Sequence, residues 1–263
     1  MRKASWIRAS DSIFLRPALY LGYFYLKTVR YNRQDRGNPV YMQDGLATLH
    51  QPRFRNDSDF VAAYRKAIDL GLAVATNIEW RAHTLCWAAS LAMQRPGDFA
   101  ECGVCRGFLS RVVMEYVGFA HTPKRFYLLD TYDGLAVEDA RSAVEKARAL
   151  SNPDLYKGNL PLVTQTFKDF PNVRIVPGRV PGTLSQVDSR EFAFVHIDMN
   201  LVEPEIAAAE FFWDRLVLGG FMIMDDYGHR PHQDQTDAFD AFAKKRNVRI
   251  LALPTGQGLI QKA

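Results

Sequence analysis

The chain has 263 residues, of which 48% are hydrophobic and 24% charged. That is enough apolar material for one α/β domain with extensions, and it excludes intrinsic disorder. No uninterrupted apolar run reaches the roughly 18 residues a membrane span needs. The basic start is followed by no cleavable leader pattern, so a cytoplasmic protein is expected. Residues 1–36 carry a net charge of +6 and the rest a net of −2, so the basic pI belongs to the arm. A body built to grip nucleic acid is not indicated. Cys86, Cys102 and Cys105 form no disulfide framework. The CxxC spacing of the last two lacks a second ligand pair and reads as small residues around a glycine turn.

The first 50 residues crowd Trp6, Phe14, Tyr20, Tyr23, Phe24, Tyr25 and Tyr31 into the basic arm. Pro17 suits a first helical position, and Ala18 to Val29 reads as a helix apolar almost all round. At ~1.5 Å per residue it reaches only about 18 Å, too short to span a bilayer. It can pack on the domain or a subunit partner, cover a substrate, or touch a membrane surface. Arg36 to Pro39 breaks the chain. Asp57 and Ser58 can cap a helix running toward Ala75, and a second helix covers about Ile78 to Gln94.

From Asp98 the pattern changes to alternation. Strands are predicted at Phe99–Cys102, Phe126–Asp130, Val173–Val176, Phe192–Asp198, Phe221–Asp225, Val248–Leu253 and Leu259–Gln261. Helices are predicted at Phe108–Val117, Ala136–Leu150, Pro204–Leu216 and Asp234–Lys245. Such alternation implies a Rossmann-like, mostly parallel α/β sheet covered on both faces. Asn152 to Pro171 is the least regular stretch and reads as a mobile cover. The organisation expected is a helical arm over 1–95, serving as lid and oligomer contact, and a cofactor-binding core over 96–263.

The first core strand ends in Glu101-Cys102-Gly103-Val104-Cys105-Arg106-Gly107. A strand, a glycine turn and a helix make a nucleotide-type site, where glycine admits close backbone approach. The turn is not GxGxxG, and an acid precedes it. That disfavours a dinucleotide pyrophosphate and a nicotinamide oxidoreductase. Glu101 suits a ligand carrying positive charge, such as the ammonium and sulfonium of S-adenosylmethionine. Gly103, Val104 and Gly107 would line it. Asp130, followed by Thr131, ends the second strand, where an acid can accept from ribose hydroxyls.

Asp198 ends one apolar strand, and Asp225 and Asp226 end the next. Adjacent parallel strands bring these tips together at the ligand-binding edge. Three converging carboxylates suit a hard cation such as Mg²⁺. A metal there would lower the pKa of a hydroxyl and orient its oxygen. His229, His196 and His232 are the candidate bases, and His229 is the best placed.

Gly97 through Val104 with Gly107, Asp130 through Leu135, Gly178 through Leu184, His196-Ile197-Asp198 and Gly219 through Tyr227 together resemble the macrocin-type sugar O-methyltransferases. The match runs from about Gly97 to Lys262. The resemblance implies a class I methyltransferase fold with a final antiparallel strand, Mg²⁺ at Asp198, Asp225 and Asp226, a sugar or glycan hydroxyl as acceptor, and homo-oligomers. Asn200 stands where that family usually has a second acid, and Cys105 where it often has tryptophan. A non-catalytic, cofactor-binding scaffold of the same fold is the competing reading.

Overall fold

A computed structural model describes residues 39–151 and 156–263. The helix expected over Ala18 to Val29 lies outside the described residues. The chain divides into two compact units, one of Met1–Met42 with Leu46–Pro52, the other of Gln43–Gly45 with Arg53–Ala263.

Strands β1 (Tyr41–Gln43) and β2 (Leu46–Thr48) pair in a small sheet of their own. Asp44 and Gly45 between them take φ of 50° and 72°, as a two-residue hairpin turn requires. Helix α1 (Ser58–Asp69) starts where the sequence placed it. The Asp57 carboxylate accepts from the Asp59 and Phe60 N–H groups at 3.0 and 3.2 Å. Phe60, Ala63, Tyr64 and Ala67 are buried, the i, i+3, i+4, i+7 stripe of an amphipathic helix. The helix stops at Asp69 rather than near Ala75, because Gly71 at φ 71° turns the backbone left-handed. Helix α2 (Glu79–Ala92) follows, with Ala82, Leu85, Cys86, Ala88, Ala89 and Ala92 buried.

The remaining elements are β3 (Asp98–Cys102), α3 (Phe108–Tyr116), β4 (Phe126–Asp130), α4 (Ala143–Ser151), α5 (Leu160–Thr166), β5 (Val173–Pro177), β6 (Phe192–Ile197), α6 (Val202–Trp213), β7 (Leu216–Met224), α7 (Gln233–Arg246), β8 (Leu251–Ala252) and β9 (Gly258–Gln261). The strand order is β5-β4-β3-β6-β7-β9-β8. Strands β3 to β7 pair in parallel, and β9 runs antiparallel to β7 and β8. Helices α1, α2 and α3 pack together, with α2 lying on β6 and β7. Helices α6 and α7 pack together, with α6 also on β6 and β7. All six residues of β6 are buried, and all but His196 are apolar, as in a strand covered on both sides. Phe99, Phe119, Phe126 and Phe194 make one aromatic cluster of the core.

Several boundaries differ from expectation for local reasons. The helix expected over Ala136–Leu150 is a short 3₁₀ turn at Val137–Asp139 and then α4. Ser142 starts α4 through a reciprocal cap. Its hydroxyl accepts from the Glu145 N–H at 3.0 Å, and the Glu145 carboxylate accepts from the Ser142 N–H at 2.9 Å. Part of the stretch expected to be irregular is α5, capped by the Asn159 side chain, which accepts from the Leu162 N–H at 3.0 Å. Helix α6 ends at Trp213, and Leu216 already belongs to β7, opposite Phe192. Gly219, at φ 78°, interrupts the apolar run of β7 and hides its first half from the pattern. The expected Val248–Leu253 strand shrinks to two residues.

Candidate active site

The strand order reverses between β3 and β6, and in parallel sheets ligands bind at the carboxyl ends beside such a switch point. A cleft of about 450 Å³ opens there, lined by the ends of β3, β4, β6 and β7 and by Leu72, Ile78 and Arg81.

On one side stands the glycine turn. Gly103 takes φ 90°, and a Cβ on it would sit 1.8 Å from the Asp198 carbonyl oxygen. Glycine is needed because the turn lies against the tip of β6. Gly107, at φ 83°, precedes α3, and a Cβ there would meet the Phe167 ring at 2.6 Å. The Asp130 carboxylate accepts from the backbone N–H groups of Val104, Cys105 and Tyr132 at 2.6, 2.7 and 2.6 Å. The Thr131 hydroxyl donates to the Gly134 carbonyl at 2.7 Å. Burial pushes the Asp130 carboxyl up, against those hydrogen bonds. Cys102 is buried in β3. Burial and the nearby Asp130 charge push the Cys105 thiol up to about 11, so neither cysteine is primed as a thiolate.

Glu101 is buried, and its carboxylate accepts from the Ser110 hydroxyl and from His196 Nδ1 at 2.8 Å. His196 is 1% exposed, and its Nε2 lies 3.4 Å from Asp225 Oδ1. Burial disfavours its charge, but the hydrogen bonds with Asp225 and Glu101 outweigh that and bring its pKa to about 10. His196 is therefore an imidazolium near neutral pH, a strut between two carboxylates, and not a free base.

On the other side stand the acids of β6 and β7. Asp225 is 3% exposed and accepts from Arg81 Nη1 at 2.6 Å and Gln257 Nε2 at 2.8 Å. Burial alone would raise its pKa, but His196 and Arg81 hold it well below the carboxylate range. Arg81 also grips Asp44 with two hydrogen bonds, at 2.8 and 3.0 Å, and lies 3.6 Å from Asp226. A row of alternating charge thus runs Glu101, His196, Asp225, Arg81, Asp44. Asp198 stands outside its pairing, and Asp226 meets it only through Arg81 at 3.6 Å. Burial, then the Asp225 charge, pushes both carboxyls up. Asp198 accepts from the Asn200 side chain at 3.2 Å. His196, Asp198 and Asp225 each offer a ligand atom within 4.8 Å of the others. Asp226 faces the histidines instead, with His232 Nδ1 at 3.3 Å and His229 Nδ1 at 3.8 Å.

His229 lines the cleft, and its side chain is 49% exposed. His232 is buried, and burial lowers its pKa. Asn200 takes φ 61°, a conformation asparagine tolerates. Its N–H donates to buried Glu205 at 2.8 Å, and its carbonyl accepts from Arg148 at 2.7 Å.

Sequence reasoning missed Arg81, Gln257 and Tyr156. Arg81 and Asp225 are 144 positions apart, and no local pattern links them. Gln257 lies in the hairpin before β9. Tyr156 lines the cleft, and burial and the charges of Asp226 and Asp198 push its phenol up.

A seven-stranded sheet of this order, with one antiparallel strand slotted in near its edge, is the Rossmann-like fold of class I methyltransferases. The chain belongs to the macrocin-O-methyltransferase (TylF) family, whose model matches residues 80–251. It is 31% identical over 166 residues to the 8-demethyl-8-(2,3-dimethoxy-alpha-L-rhamnosyl)-tetracenomycin-C 4'-O-methyltransferase of Streptomyces olivaceus. That alignment covers 60% of this chain and 61% of the relative, so the chain spans under two thirds of that curated protein. In structure it is similar to the O-methyltransferase NovP, with a TM-score of 0.64 at 18% identity, covering 94% of this chain and 99% of NovP. It is also similar to the calicheamicin methyltransferase CalS11, with a TM-score of 0.57 at 13% identity over 99% of both chains. These structural likenesses show the fold. No helix among the described residues is long and apolar enough to cross a membrane.

Proposed function

We propose that this protein transfers a methyl group from S-adenosylmethionine to a hydroxyl of a sugar or glycosylated small molecule, with Mg²⁺ at the acidic edge. The observation that carries the reading is the arrangement of the cleft, with a glycine turn on one wall and Asp198, Asp225 and Asp226 on the other. Family membership supports the methyl chemistry. The tetracenomycin relative acts on a rhamnosyl compound, which supports a deoxysugar acceptor here.

In this reading Glu101, Gly103, Val104, Gly107, Asp130 and Thr131 form the cofactor wall. Asp130 fixes the turn and keeps one acceptor site, on the oxygen bonded to the Tyr132 N–H, for a ribose hydroxyl. Residues 96–263 form the cofactor-binding core in this reading, and residues 1–95 are the helical arm, a lid and oligomerisation extension. The acids fit a hard divalent ion, because Asp198 has no ion pair among the described residues, Asp226 meets Arg81 only at 3.6 Å, and carboxylate oxygens are its preferred ligands. Asp198, Asp225 and Asp226 would hold it, and a bound Mg²⁺ would acidify and orient the acceptor hydroxyl. His229, beside Asp226, would take the proton from that hydroxyl, since His196 is already charged and His232 is buried. Asp225, between His196 and Arg81, keeps its charge and holds the edge in place.

The test is calorimetric binding of S-adenosylmethionine and S-adenosylhomocysteine, followed by methyl transfer to rhamnosides with Mg²⁺ or with chelator. Micromolar cofactor binding and chelator-sensitive turnover are expected. Absence of cofactor binding would overturn the reading, and chelator-resistant turnover would remove the metal from it.

A further inference from the structure

We infer that Arg106 holds the α-carboxylate of the methyl donor. The inference rests on the cofactor reading above and assigns the one part of that molecule the acidic cleft does not suit. S-Adenosylmethionine is cationic at its sulfonium and ammonium but anionic at its carboxylate. A carboxylate entering a cleft walled by Glu101, Asp130 and Asp198 is repelled unless a cation or several N–H donors meet it.

Four of the turn's own N–H groups are already engaged. Gly103 N–H donates to the Leu129 carbonyl at 2.8 Å and Gly107 N–H to the Val104 carbonyl at 2.7 Å. The Val104 and Cys105 N–H groups both go to Asp130. The cleft's other guanidiniums are engaged as well. Arg81 lies between Asp44 and Asp225, and Arg179 is paired with Asp139. His229 and His232 face Asp226 on the opposite wall. Arg106 lines the cleft within the glycine turn, and its guanidinium has no hydrogen bond or ion pair among the described residues. Its fork of N–H donors matches a carboxylate's two oxygens.

The test compares two ligands that differ only in this group, S-adenosylhomocysteine and its decarboxylated analogue, by calorimetry on the full-length protein. Arg106→Ala is expected to weaken S-adenosylhomocysteine about 10- to 100-fold, the scale of a lost charge-assisted pair, and to leave the decarboxylated analogue unchanged. Arg106→Lys, which keeps the charge without the fork, should recover part of the loss. Thermal melts matching the wild type check that each variant folds. Equal weakening of both ligands, or weakening of neither, would overturn the assignment while leaving the cofactor reading intact. If the wild type binds neither ligand, the cofactor reading fails and this assignment goes with it.

Discussion

The two walls of the cleft use the same residue type for opposite purposes. On the β3–β4 wall, Glu101 and Asp130 are satisfied by the protein itself, through Ser110, His196 and three backbone N–H groups. On the β6–β7 wall, Asp198 and Asp226 crowd against Asp225, and burial and mutual charge raise their affinity for protons. An acid at a strand tip is therefore a strut where donors converge on it and a stored charge where they do not. Asp225 belongs to both classes, since it anchors Arg81 and His196 while repelling its neighbours.

Four substitutions would break or sharpen this contrast, in falling order of their effect on stability. Asp225→Ala takes one of two carboxylate partners from buried His196, leaving it Glu101, and takes Arg81's shortest ion pair, leaving it Asp44, and should cost about 3–4 kcal/mol in urea unfolding. A loss under about 1 kcal/mol would mean that Asp225 is no strut. Because of that cost, Asp225→Ala is a poor probe of metal binding. Asp130→Ala removes the acceptor shared by the Val104, Cys105 and Tyr132 N–H groups. It should cost about 2–3 kcal/mol in the same assay and abolish cofactor binding.

Glu145→Gln is next. Its carboxylate accepts from the Arg141, Ser142 and Val202 N–H groups at 2.7, 2.9 and 2.8 Å, tying α4 to the start of α6. Burial raises its pKa, and those bonds outweigh it, so the folded value is depressed. The stability it contributes is present above the ordinary glutamate value and is lost as pH falls through the folded one. The substitution should cost about 1–2 kcal/mol near pH 7 and flatten the acid limb of the melting profile. An unchanged acid limb would show that Glu145 is not a strut.

The smallest change in stability is expected at Asp198. Asp198→Asn removes a charge the fold does not favour, so stability should shift by under about 1 kcal/mol while methyl transfer falls at least ~100-fold. Retained turnover would take Asp198 out of the chemistry.

The sequence shows this contrast only in part. Strands β3, β4 and β6 are legible because strands buried on both faces are short apolar runs, and each ends in the acid or glycine that marks the site. The Asp44-Gly45 hairpin and the Ser142/Glu145 cap carry turn and capping signals that pass unread beside stronger periodicity. The first half of β7 is masked because Gly219 reads as a break, while pairing with β6 decides the matter. The satisfaction of each carboxylate is a tertiary property. Arg81 reaches Asp225 from α2, and nothing near either residue in the chain announces the pair.

The bare backbone at Gly103 has a further consequence. With no side chain between it and the Asp198 carbonyl, the spacing between the two walls is set by main-chain atoms, like a gauge block. Substitution elsewhere on the sheet cannot retune that dimension, and substitution at Gly103 itself only jams it. Adaptation of this scaffold to acceptors of different size is thereby confined to the rim of the cleft, where half-buried Ile78 and Tyr156 can change without moving the floor.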